Sequence, residues 1–265
     1  MRRLIAVFSA ALFVFAAACQ AQDNATIATT KTPKWSGNYS AAFGNRYVGT
    51  TVCATFANQA VFQHSLTIAR TDEKTSIAGT VWNSTGVTPS TWFTTYASET
   101  DIDFNVDRRF GKYDVGVGGW MFFLEPGAKT NVPVFDAKIA RDLVLGRNTV
   151  TPFTETQWYG TTNAKDAGYH GGVYPMLGVT YSRPLTERVS LSSQFHANYD
   201  ASGGFGKTKG KSMFSVEAAL RFVMNSSVTL TAHAGLVGSF NDPARGSYEG
   251  RPRVPVFNVG ISKSF

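Results

Sequence analysis

Asp101, Asp103, Asn105 and Asp107 put an oxygen-bearing side chain at every second residue, the spacing that opens a calcium-binding loop. Such a loop turns on glycine at its sixth position and closes on glutamate at its twelfth, where this chain has Val106 and Lys112. On a strand, the same period of two lines the carboxylates up along one face. The run Gly203–Thr208 resembles the end of a phosphate-binding P-loop, but Ala201 stands where the pattern needs its first glycine. The pattern also needs a buried strand before it and a helix after it, and two amphipathic strands flank this run. It reads as a loop in which Lys207, Lys209 and Lys211 offer charge to lipid phosphates. His64, His170, His196 and His233 have no zinc-motif spacing. Ser190, Ser192 and Ser193 share a segment with His196. A catalytic serine must touch its base, and residues two apart on one strand face do not meet unaided. The residues therefore predict no catalytic group, no metal site and no cofactor.

The elements that carry these residues are strands. The last ten residues alternate Phe257, Val259, Ile261 and the terminal Phe265 with Asn258, Gly260, Ser262 and Ser264. Period-two alternation gives one apolar and one polar face. A closing strand ending on phenylalanine resembles that of outer-membrane β-barrels, with lipid on one side and a wet lumen on the other. Twelve such segments are predicted, at 38–48, 60–70, 75–83, 99–108, 113–123, 133–142, 148–158, 172–182, 188–199, 212–223, 227–238 and 255–265. The connections alternate between short (71–74, 109–112, 143–147, 183–187, 224–226) and long (49–59, 84–98, 124–132, 159–171, 200–211, 239–254). Outer-membrane barrels pair short periplasmic turns with long external loops, and an even strand number returns both termini to the periplasm. The predicted fold is all-β, a transmembrane antiparallel up-and-down barrel of about 12 strands.

Residues 1–21 read as a secretory signal: Arg2 and Arg3, an apolar run from Leu4 to Ala18, then small residues up to Ala21. A lipoprotein signal with Cys19 modified is the alternative. Residues 22–36 read as a short periplasmic lead and 37–265 as the barrel. Removal of Arg2 and Arg3 lowers the formal charge from +7 to +5. Export argues against nucleic acid as the partner of this basic chain. Charged residues make up 16%, against about 25% in soluble domains, as expected where half of each strand meets lipid. Aromatic residues fall near both strand ends, as interfacial girdles require: Phe110, Tyr113, Tyr181, Phe222 and Phe265 near turns, and Tyr47, Trp92, Phe93, Phe123, Trp158, Tyr159, Tyr199 and Phe240 near loops.

The alternation turns Asp101, Asp103, Asp107, Asp136, Asp142, Glu155 and Glu217 inward, with Arg46, Lys138 and Arg221. An acidic lumen favours cations. Asp101, Asp103, Asp107, Glu217 and Arg221 are the candidate selectivity residues. Twelve strands lie between the roughly eight that fill with side chains and the 16 or so that leave a wide pore. A narrow passive channel for small hydrophilic solutes is the expected function. The alternatives are a filled structural barrel whose loops bind lipopolysaccharide or a surface partner, for which inward Trp82, Trp120 and Phe122 speak, and a lipid-modifying enzyme. The expected neighbours are outer-membrane lipid, lipopolysaccharide and the barrel-assembly machinery, which reads the strand ending at Phe265.

Asn45–Val48, Glu99–Phe104 and Arg109–Gly118 together resemble segments of a proteobacterial group described as TorF-like porins. The resemblance runs over roughly the mature chain. It departs at Val48, Gly49 and Thr50, where that group often continues with an aromatic-Arg-Gly run. It implies an outer-membrane barrel and assigns no catalytic or binding residue.

Overall fold

The computed structural model describes residues 33–49, 54–57, 59–87, 98–125, 131–160, 171–201, 212–240 and 253–265. Twelve long strands form it: β1 (Lys34–Gly44), β2 (Val61–Thr71), β3 (Thr75–Gly86), β4 (Ser98–Phe110), β5 (Tyr113–Glu125), β6 (Asn131–Ala140), β7 (Asn148–Tyr159), β8 (Gly172–Pro184), β9 (Val189–Tyr199), β10 (Ser212–Val223), β11 (Val228–Ser239) and β12 (Arg253–Ser264). Each pairs antiparallel with its neighbours in sequence, and β12 pairs with β1. The sheet closes, so no main strand keeps an unpaired edge.

All twelve predicted segments are present, most within a few residues of their predicted bounds. The first differs most: it runs Lys34–Gly44 rather than 38–48, and so takes in the end of the predicted lead. Its partners set that shift. Lys34 pairs with Thr71 of β2, and Gly37 exchanges both backbone hydrogen bonds with Phe265, at 2.8 and 2.9 Å. At the other end Asn45 keeps one ladder bond, its amide donating to the Phe257 carbonyl at 2.9 Å, while its side-chain Oδ1 accepts from the Phe257 amide at 2.8 Å. The first long connection then carries its own two-stranded ribbon, Tyr47–Gly49 against Ala54–Ala57.

The sixth segment also differs. Pairing with β7 is interrupted at Arg141 and Asp142 and resumes over Leu143–Leu145, so the turn tightens to Gly146 and Arg147. Pro152 lies opposite the break. Proline has no N–H for the ladder, so Arg141 donates to the Pro152 carbonyl at 3.0 Å and receives no bond in return. Gly146 takes φ +64° in the turn, where a side chain would be strained.

Alternate residues divide cleanly between the two faces. Outward residues are apolar and exposed, such as Phe104 at 56% and Val259 at 63%. Burying them requires lipid, since a soluble protein rarely exposes so continuous an apolar band. The outward charges lie at the ends of strands: Arg70, Arg108, Arg183 and Lys263 toward the short turns, and Arg253 toward the loops. There a long side chain can reach the interface. Trp35, Phe110, Tyr113, Phe222 and Phe265 are exposed at the turn end, and Phe62, Trp158, Tyr199 and Phe240 at the loop end. Tyr159 corrects the sequence reading. It is 8% exposed and points into the lumen, because it has the parity of Glu155 and Gln157 on β7.

Candidate functional site in the barrel lumen

Strand register places the candidate acids on one wall. On β4, Asp101 stands between Trp82 of β3 and Phe122 of β5, Asp103 between Thr80 and Trp120, and Asp107 between Ser76 and Gly116. Glu99 continues the row toward the loops and is 3% exposed. On β6, Asp136 and Lys138 face Gly118 and Gly116 of β5. These glycines leave room for the acids: a Cβ on Gly116 would strike the Asp107 carboxylate, and one on Gly118 would lie 2.5 Å from Asp136 Oδ1. On β7, Glu155 and Gln157 come next, opposite Lys138 and Asp136. A hydrogen-bond chain fixes them: the Tyr159 hydroxyl donates to Gln157 Oε1 at 3.0 Å, and Gln157 Nε2 donates to Glu155 Oε1 at 2.6 Å. The Lys138 ammonium lies 5.2 Å from the centre of the Phe153 ring.

Glu217 and Arg221 lie on β10, six strands away around the barrel from β4 and therefore on the opposite wall. Glu217 accepts from Ser215 Oγ at 2.6 Å and pairs with His233 Nε2 at 2.7 Å, while the Asn258 amide lies 3.2 Å from His233 Nδ1. These contacts suit an Nε2–H that donates to the carboxylate and an Nδ1 that accepts from Asn258. Arg221 faces Ser190 and Thr231 nearer the short turns. The five selectivity candidates thus share a lumen but form two walls.

Arg109 and Asp114 also face inward: Arg109 was missed because residues 109–112 read as a turn, and Asp114, inside the predicted strand 113–123, was left out of the inward set although it has the parity of Trp120 and Phe122. β4 runs on to Phe110, and Arg109 forms a two-pronged pair with Asp114 at 2.8 and 2.9 Å. Asp142 sits at the turn rim, where the Thr151 hydroxyl donates to it at 2.6 Å. His196 faces the lumen, with Gln194 Nε2 3.1 Å from its Nδ1. Ser193 faces outward, away from that ring. Among the described residues, no three metal-ligating side chains converge. Lys207, Lys209, Lys211, His170, Trp92, Phe93 and the signal segment lie outside the described residues.

The lumen changes character along its length. The turn-side half is lined by small polar groups such as Ser40, Ser65, Thr67, Thr80, Ser192 and Ser262, all reached by the same register. The loop-side half holds a buried apolar cluster of Val132, Val134, Tyr159, Tyr174, Met213, Val237 and Val254, with Trp120 and Phe122 packed against it. Its rings form a connected set. Trp120–Phe122, Phe122–Tyr159 and Trp120–Tyr159 centroids lie 6.0, 6.0 and 6.3 Å apart, and Tyr159–Tyr174 centroids 5.1 Å apart at 72°. Such edge-on pairs contribute about 0.5–1.5 kcal/mol each beyond their burial. The arrangement is a polar turn-side half followed by an apolar, ring-rich loop-side half, with the acidic row of β4 running from one into the other.

Neither a protein-family model nor a curated protein sequence matches the chain. Solved structures do. The NanC porin aligns over 85% of this chain and 98% of its own, with a TM-score of 0.56 and 10% identity. The COG4313 outer membrane channel from Pseudomonas putida F1 aligns over 88% and 95%, with a TM-score of 0.53 and 8% identity. The KdgM porin aligns over 87% and 99%, with a TM-score of 0.51 and 9% identity. At such identities the likeness is one of fold: this chain shares the closed antiparallel barrel of outer-membrane porins.

Proposed function

We propose that the protein is a narrow passive channel of the outer membrane that admits small hydrophilic solutes and prefers cations. The observation that carries this reading is the lumen's charge. Glu99, Asp101, Asp103 and Asp107 form one carboxylate row, interrupted only by the amide of Asn105, with Asp136 and Glu155 on nearby strands and Lys138 as the base among them. Carboxylates facing a low-dielectric passage raise the local cation concentration and exclude anions. The outward apolar band supports insertion in a bilayer, and the barrel shared with porins supports the outer membrane in particular. The exported lead, assembly through the Phe265 strand, and contacts of Lys207, Lys209 and Lys211 with lipopolysaccharide phosphates belong to the same reading.

The test is conductance of the refolded chain in a planar bilayer under a KCl gradient. Steps with a reversal potential on the cation side support the channel and its acidic lining. Anion selectivity contradicts the lining, and a folded barrel without steps points to a filled, structural barrel.

A further inference from the structure

Below its loop-side member Glu99, the acidic row passes between aromatic residues. Across β3, β4, β5 and β6, one lumen-facing row reads Trp82, Asp101, Phe122, Val132; the row beside it reads Thr80, Asp103, Trp120, Val134 and continues to Tyr159 on β7. Each of these carboxylates is flanked by an aromatic residue on at least one adjacent strand. Asp101 is only 9% exposed; its carboxyl hydrogen-bonds to the Glu99 carboxyl, and its Oδ1 accepts no bond. A buried carboxylate oxygen without a donor is costly unless something positive meets it. Asp103, one step toward the turns, stays half-buried, so the row leads from the polar turn-side half to the rings.

A hydrated metal ion is a poor match for this wall. Three ligating side chains do not converge among the described residues, and indole and phenyl groups offer no oxygen to replace water. A cation with an apolar skin is a good match. Ring faces attract such a cation through their quadrupoles and tolerate its carbon surface, while the carboxylates neutralise its charge.

We propose that the wall formed by Trp82, Asp101, Asp103, Trp120 and Phe122 binds small organic cations, quaternary ammonium ions or protonated amines, on their way through the lumen. This rests on the channel reading for its transport role and names the class of solute. Binding itself can be measured without conductance.

The experiment is a titration of the refolded full chain in detergent with choline chloride, followed by tryptophan emission, with sodium chloride as the control. Wild type should give a saturable change that sodium chloride does not. Asp101→Asn and Phe122→Leu each keep every tryptophan, and each should weaken binding about tenfold. Heat-modifiable migration on gels certifies that each variant is folded; should one fail, Asp103→Asn replaces it. In bilayers, choline should lower the potassium current through wild type more than through the variants. Saturable binding with no conductance upholds the site and removes the channel reading. Cation-selective conductance with a choline response equal to that of sodium overturns the site and leaves the channel reading standing. Equal binding by wild type and both folded variants also overturns it.

Discussion

At the residue scale the lumen's behaviour turns on a few charges. Lys138 sits within the acidic wall, opposite Glu155 and beside Asp136 on the adjoining rows. Its removal by Lys138→Gln should raise the potassium-over-chloride permeability ratio, and Asp103→Asn should lower it, each by roughly twofold in reversal-potential measurements. A different residue gives a pH dependence. Asp72, in the turn between β2 and β3, accepts from the Lys74 and Thr75 amides at 2.9 and 2.8 Å. These bonds hold its carboxyl below the ordinary range for aspartate. A lowered carboxyl stabilises the fold fully above the unfolded-state pKa and loses that contribution as pH falls through the folded-state pKa. Asp72→Asn should therefore flatten the acid side of the stability curve, read as urea midpoints at neutral and acid pH. An unchanged acid slope would show that other carboxylates set it.

At the element scale, two close approaches hold neighbouring strands together. A Cβ on Gly178 of β8 would lie 2.5 Å from the Phe195 carbonyl oxygen of β9 and 2.5 Å from Phe153 Cε1 of β7. The backbone oxygen cannot rotate away, so Gly178→Ala should cost about 1–3 kcal/mol, measured by urea unfolding in detergent. The seam between β1 and β12 has its own device: the Phe265 ring lies over Gly37, where no side chain competes for the space. Gly37→Leu should displace that ring and slow refolding into vesicles, followed by the appearance of the heat-modifiable band.

The strands themselves were legible in the sequence because each must be apolar on the lipid side and polar on the other, a demand that leaves a period of two. Bounds were less legible where a neighbour sets them, as Phe265 draws β1 back to Gly37, Thr71 of β2 carries it to Lys34, and Pro152 interrupts the pairing of β6 with β7. Tyr159 shows another limit. Its parity with Glu155 placed it inward, but its position near a loop suggested a girdle, and packing against Trp120, Phe122 and Tyr174 decided the matter. The candidate site was half legible. Alternation found Asp101, Asp103 and Asp107, and it turned Trp82, Trp120 and Phe122 inward. It gave no stagger between strands, so it could not show that the rings and carboxylates share two rows, nor that Glu217 and Arg221 stand on the far wall.

At the scale of the whole molecule, the barrel has an apolar outer face and one acidic lumen wall. Among the described residues the outer face carries charge only at strand ends, where arginine and lysine avoid the cost of about 2–4 kcal/mol that a cation meets at the bilayer midplane. The inner face concentrates carboxylates on β4, β6 and β7, and a buried apolar cluster with packed rings occupies its loop-side end. On the channel reading, selectivity should arise from the acidic wall. The most direct test compares the reversal potential of wild type under a KCl gradient with that of the double variant Asp103→Asn, Asp107→Asn. Cation selectivity in wild type that falls toward neutrality in the variant is the predicted result. Anion selectivity in wild type, or a reversal potential that the variant leaves unmoved, would contradict it.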